Sequence, residues 1–193
     1  MIITYNHQNG IFLDEKKYSH FLCEVFAART NETNEYMFEN GWLPTSNNRW
    51  FQSKSSRIKI LPISSRKKNR LSKIHISKNG DYRRIFQESK SYYSDTCESY
   101  LETVLSFNHE IYYFNSEVFC VLNWFDNVPF FSAVFGGKVK RNGITPITCY
   151  YFIDKLISHH YPYLYIGEWY NQFHYKSNYP NFEWWDGEKW IKK

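Results

Sequence analysis

A chain of 193 residues is the size of one domain, or of two small lobes around a shared core. Its negative mean hydropathy and the lack of any apolar run near ~18 residues exclude a membrane-spanning helix. Cys23, Cys97, Cys120 and Cys149 are widely spaced and form no C-x-x-C pair, so nothing supports a zinc or iron–sulfur site and we expect buried free thiols. The formal charge of +5 is modest but uneven. Lys54, Arg57, Lys59, Arg66, Lys67, Lys68, Arg70, Lys73, Lys78, Arg83 and Arg84 fall in one span whose sole acid is Asp81. Such a surface attracts polyanions in a salt-dependent way, unless it is merely a solvated lysine-rich face. Aromatic residues make up 21%, roughly twice ordinary usage, enough for a ring-rich core or for stacking on a flat ligand. The opening segment MIITYNHQNGIF reads as having neither the basic leader nor the apolar centre of a secretory signal, so a cytoplasmic protein is expected.

Ile2 to Tyr5 reads as a short strand and Asn9-Gly10 as a turn. Tyr18, Phe21, Leu22, Val25 and Phe26 recur at helical spacing and predict a helix over 14–29. A shorter helix capped at Asn31 or Thr33 runs to Phe38 and ends at Asn40-Gly41. Arg49–Gln52 and Ser56–Leu61 read as a hairpin turning at 53–55. In its second strand Arg57 and Lys59 alternate with Ile58 and Ile60, which predicts one cationic and one apolar face. Ser64-Ser65 caps a basic helix to about Lys73, with Arg66, Lys67 and Arg70 near one face. Ile74–Ile76 is a short strand, Asn79-Gly80 a turn, and Asp81 starts a helix to about Lys90. Ser94-Asp95 caps a further helix with an apolar stripe through Cys97, Tyr100, Leu101, Val104 and Leu105.

The second half changes character. Strands at 110–114, 118–125 and 129–135 are joined by turns at Asn115-Ser116 and Asp126-Asn127. Lys138–Thr145 reads as a loop, and Pro146 as the first turn of a helix that continues to His159 or His160. A buried strand, Tyr163–Ile166, follows. The fold class is therefore α/β (α+β). Three antiparallel strands, a helix and a buried strand resemble the later part of the acetyltransferase-like fold, which implies a mixed, mostly antiparallel sheet flanked by helices. Residues 1–80 read as an N-terminal lobe and 81–193 as the acetyltransferase-like lobe, in one compact unit, since no long linker separates them.

Pro162-Tyr163-Leu164-Tyr165-Ile166-Gly167-Glu168-Trp169, followed by Tyr175-Lys176-Ser177-Asn178-Tyr179, resembles the C-terminal signature of the arginyl- and leucyl-tRNA–protein transferases, P-Y-L-Y-L-G-Y-W-I and then M-x-Y-K-x-x-F-x-P. Tyr36–Trp42 with Trp50-Phe51, Arg57–Ile60 and Ser64–Arg70 resemble upstream segments of that family in the same order, over about 34–190. The family's clustered cysteines are missing, Glu168 stands where the family has Tyr, and His174 where it has Met. The resemblance implies an enzyme that moves an arginyl- or leucyl-type amino acid from aminoacyl-tRNA to an amine acceptor, a protein or peptide N-terminus or a small molecule. It implies no membrane partner.

That chemistry needs a neutral amine beside an activated ester and a donor for the oxyanion, with no metal and no cofactor. Glu168 and His174 are the candidate catalytic residues, as base or proton relay; the plainer alternatives are a solvated turn and an ordinary His. Gly167, Trp169, Tyr175 and Lys176 are the candidate substrate-binding residues. Arg57, Lys59, Arg66, Lys67 and Arg70 are the candidate tRNA-binding residues, holding phosphates without reading sequence. Trp50, Trp169 or Tyr175 would stack the terminal adenine. Two alternatives stay open. One is an acyl-CoA-dependent N-acyltransferase, although the glycines of Gly136–Pro146 lack the pyrophosphate-loop spacing. The other is a non-catalytic RNA-binding module.

Overall fold

The computed structural model describes residues 4–6, 23–26, 29–45, 47–52, 54–92, 98–169 and 171–193. In chain order these form β1 (Thr4–Asn6), β2 (Cys23–Phe26), α1 (Asn31–Glu39), β3 (Trp42–Pro44), β4 (Arg49–Gln52), β5 (Ser55–Lys59), α2 (Ser65–Leu71), β6 (Ile76–Ser77), α3 (Tyr82–Lys90) and α4 (Glu98–Ser106). Then come β7 (His109–Phe114), β8 (Val118–Phe125), β9 (Val128–Gly136), α5 (Lys138–Ile157), β10 (Tyr163–Glu168), a 3-10 helix (Asn171–Asn178), β11 (Phe182–Trp185) and β12 (Trp190–Lys192). The class is α+β with mostly antiparallel strands, as expected. Among the described residues, no helix is long and apolar enough to cross a membrane.

The chain divides into two compact units whose segments interleave. The first takes Met1–Lys59, Phe125–Val128 and Tyr165–Lys193. It holds a four-stranded sheet in the order β1-β2-β4-β3, and a ladder in the order β12-β11-β5-β10. Its centre is a ring cluster: Phe38 meets Trp50 and Phe125 at 5.4 Å and Tyr165 at 4.6 Å. The Arg29 guanidinium lies 5.0 Å from both Trp50 and Phe125, and burial brings its pKa down to about 10. Thr30 caps α1 by accepting from the Thr33 N–H. Gly41 follows the helix at φ +75°, with the Trp185 ring 2.3 Å from where a Cβ would stand. Both facts demand glycine there.

The second unit takes Ile60–Trp124 and Pro129–Leu164, and its strands run in the order β10-β9-β8-β7-β6. Asn115 and Ser116, both at positive φ, turn β7 into β8, and the Glu117 N–H closes the turn on the Phe114 carbonyl. Alternate residues face opposite sides. Tyr113, Phe119 and Val121 pack with Ile85 and Phe86 of α3 and Leu101 and Val104 of α4. Tyr112 and Phe114 meet Tyr151 of α5 at 5.5 and 5.6 Å. Helices therefore cover both faces, and Val118–Asn123 of β8 is buried throughout.

Three expectations need correction. Residues 23–26 are a strand, not the end of a helix: Val25 pairs with Trp50 and Tyr5. A short apolar run has no period long enough to separate the two states. The rest of that expected helix, 14–22 and 27–28, lies outside the described residues, as do Ile2-Ile3, Asn9-Gly10 and the Ser94-Asp95 cap. β4 and β5 are not a hairpin, because β4 pairs with β2 and β3 whereas β5 pairs with β11. Finally, 138–145 is not a loop: α5 begins at Lys138 and carries Pro146 in its interior. Proline removes one hydrogen bond, to the carbonyl of Asn142. Buried Ile144 and Ile147, on either side of it, hold the helix through that gap.

Candidate functional site

The corner at the end of β10 is built from three carbonyls in a row. Gly167 adopts φ +74°, a conformation that turns the chain out of the strand and that glycine takes without strain. The 3-10 helix then brings Lys176 back. Its Nζ donates to the Ile166 carbonyl at 2.5 Å and to the Glu168 carbonyl at 2.7 Å. On the opposite edge the Gly167 carbonyl accepts from Ser56 Oγ at 2.6 Å. Lys176 thus occupies the positions where a neighbouring strand would donate, and the charge makes these bonds stronger than ladder bonds. The Trp169 N–H donates to the Lys54 carbonyl at 2.7 Å, which fixes the next residue.

Trp169 is half-buried, its ring 5.4 Å from His174, 5.5 Å from Phe182 and 5.1 Å from Trp184. His174 is exposed, meeting Trp169 edge-on at 81°. Glu168 is half-buried, and Tyr175 is 44% exposed. Gly167, Glu168, Trp169, His174, Tyr175 and Lys176, named from sequence, are therefore placed around one turn of chain. Lys176 does something other than expected: two of its three ammonium hydrogens bind the protein's own carbonyls.

Arg57 needs the larger correction. It is 7% exposed, and its Nε donates to Glu183 Oε2 at 2.8 Å, directly opposite it across the β5–β11 pair. Its guanidinium lies 4.0 Å from the Trp190 ring centroid, and Nη1 reaches the Tyr165 hydroxyl at 3.4 Å. A cation so covered and paired offers little field to a phosphate. The predicted alternation of β5 is absent, since Ser55, Ser56, Arg57 and Ile58 are all buried and only Lys59 is exposed. Trp50 is likewise a core residue at 0% exposure and presents no face to a base.

The basic helix α2 has no buried residue. Arg66 and Arg70 are exposed, and Lys67 Nζ lies 3.9 Å over the Tyr150 ring. Arg57 and Lys59 belong to the first unit, whereas Arg66, Lys67 and Arg70 belong to the second. Cys120 and Cys149 are buried free thiols. Sequence reasoning missed Ser56, whose partner Gly167 is 111 residues away, and no local signal marks it. It also missed Tyr150 as the seat of Lys67. In the second unit, a carboxylate oxygen of Glu88 lies 2.6 Å from where a Cβ of Gly137 would stand, beside the start of α5. A carboxylate there already answers the positive end of the helix and repels a pyrophosphate. No family model matches the chain, and no curated protein matches it.

Proposed function

We propose that the corner at the end of β10 carries out aminoacyl transfer from aminoacyl-tRNA to an amine, in the manner of the arginyl- and leucyl-tRNA–protein transferases. One observation carries the reading: Lys176 of the Tyr-Lys-Ser element closes on the carbonyls of Ile166 and Glu168. The two halves of the resembling signature thus form one hydrogen-bonded turn.

In the reaction the acceptor nitrogen attacks the ester carbonyl carbon, the bond to the ribose oxygen breaks, and an amide forms. The nitrogen loses a proton to a carboxylate or imidazole, and the ribose oxygen leaves with one. Glu168 and His174 are the candidates for that base. A backbone N–H at the strand's end supplies the oxyanion donor, with Lys176 and Ser56 as positioning residues that hold that backbone. Trp169 and Tyr175 flank the bound aminoacyl end, and Lys59, Arg66, Lys67 and Arg70 hold tRNA phosphates without base specificity. Arg57 drops out of that set. The acyl-CoA alternative is weakened by Glu88 beside the start of α5. The protein would act in the cytoplasm, where aminoacyl-tRNA is made.

The test is incubation of the purified protein with a panel of radiolabelled aminoacyl-tRNAs and amine acceptors, including peptides with acidic N-termini. Label appearing in the acceptor supports the reading. No transfer across the panel, with tRNA still bound, replaces the enzyme with a binding module.

A further inference from the structure

We infer that a half-exposed strip of the second unit binds single-stranded nucleic acid, stacking unpaired bases on aromatic rings set among lysines. The strip follows a chain of contacts. Lys67 Nζ lies 3.9 Å over Tyr150 of α5, and the neighbouring Lys68 pairs with Asp154 at 3.3 Å. Next on α5, Lys155 Nζ lies 5.7 Å from the Tyr112 ring, and Lys78 Nζ lies 5.3 Å from the same ring. Lys78 also donates to Glu110 at 2.5 Å, and the other Glu110 oxygen accepts from Trp124 Nε1 at 2.9 Å. The Trp124 ring stands 5.3 Å from Tyr161, and Tyr161 stands 6.0 Å from His159 with the planes 30° apart.

Exposure decides which groups are offered outward. Tyr112 is buried and serves as the floor. Tyr150, Tyr151, Trp124 and Tyr161 are half-buried, His159 is exposed, and Lys67 and Lys155 are half-buried beside rings. Both carboxylates of the strip, Asp154 and Glu110, already face a lysine, so neither adds unopposed negative charge. A polyanion is thus met by lysines at intervals and by rings between them. That is the combination by which single strands are held with little regard to sequence. A duplex hides its base faces and leaves the rings without partners. An anionic bilayer would need apolar side chains projecting from the surface, and these rings are set into it.

This inference does not rest on aminoacyl transfer: all its residues lie in the second unit, none belongs to the β10 corner, and Lys67 alone is shared with the proposed tRNA-binding set. It is tested by fluorescence anisotropy with a labelled RNA single strand of about 12 nucleotides, and with the same strand annealed to its complement. The single strand is expected to bind about tenfold more tightly than the duplex, with affinity falling as salt rises. Tyr161→Ala should weaken single-strand binding roughly 5- to 150-fold, and Lys155→Gln should lower the salt slope by about one. Should Tyr161→Ala fail to fold by circular dichroism, His159→Ala, at an exposed position, reads the same stack. Unchanged affinity in both the ring and lysine variants overturns the inference. So does equal or tighter binding of the duplex, or binding to phosphatidylserine vesicles without binding to RNA. Single-strand binding without aminoacyl transfer leaves the strip standing and removes the enzyme; transfer with unchanged binding in the strip variants does the reverse.

Discussion

Removing the Arg57 side chain would leave the Glu183 carboxylate, 4% exposed, without its 2.8 Å partner. Arg57→Ala should therefore destabilise by about 3–5 kcal/mol in urea unfolding. The double change Arg57→Met with Glu183→Leu should recover most of that, because an uncompensated buried charge costs more than losing the pair. RNA affinity should not move, a result that a phosphate-binding Arg57 would contradict. Lys176 differs in that its charge serves backbone oxygens. Lys176→Met should cost about 1–3 kcal/mol and cut transfer on the order of 10²-fold by letting the strand end shift, with tRNA affinity retained. Glu110 gives a pH signature. Burial alone would raise its pKa, but hydrogen bonds from Lys78, Tyr112 and Trp124 outweigh burial and bring it down to about 2. A carboxylate with a depressed folded pKa stabilises above its ordinary value of 4.5 and loses that contribution as pH falls toward 2. Melting temperature should fall over that window, and less steeply in Glu110→Gln.

Among elements, α5 shows what a proline costs when burial overrides it. Pro146→Ala restores a donor to a 20-residue helix whose buried Ile144 and Ile147 already fix its place. Thermal unfolding should show a gain of about 1–3 kcal/mol; no gain would mean that the backbone around residue 142 has relaxed to absorb the loss. The same helix marks a limit of legibility. Proline favours a helix's first turn, so the local rule placed the start at Pro146, eight residues late. β7, β8 and β9 were readable almost to the residue, since their turns carry Asn115, Ser116 and Asp126 at positive φ between β-rich runs. β2 and β11 were not, because partners remote in sequence make them strands; β5 was read as a strand but given β4 as its partner instead of β11. For the corner, the residues around Gly167 and Lys176 could be named in advance. Their hydrogen bonds could not, and neither could the burial of Arg57, which depends on a carboxylate 126 residues away.

On the scale of the whole molecule, the candidate corner is confined to the first unit, whereas α2 and the ring-and-lysine strip belong to the second. Variants in one unit should therefore leave the other's binding behaviour unchanged where the mutated residues share no partners. Lys176→Met should keep single-strand affinity, and Lys155→Gln should keep the melting temperature within about 0.5 kcal/mol equivalent. The interleaving of the chain also bears on how the protein is made. β5 leaves the ribosome with Arg57 and must wait 126 residues for Glu183. At about 5–20 residues per second that is roughly 6–25 s. Through most of that interval a strand with three hydrogen-bonding side chains, Ser55, Ser56 and Arg57, has no ladder to join, because its other neighbour, β10, also lies far downstream. The second unit can gather its helices and hairpins meanwhile, so the nascent chain carries an unpaired edge that invites holding by a chaperone.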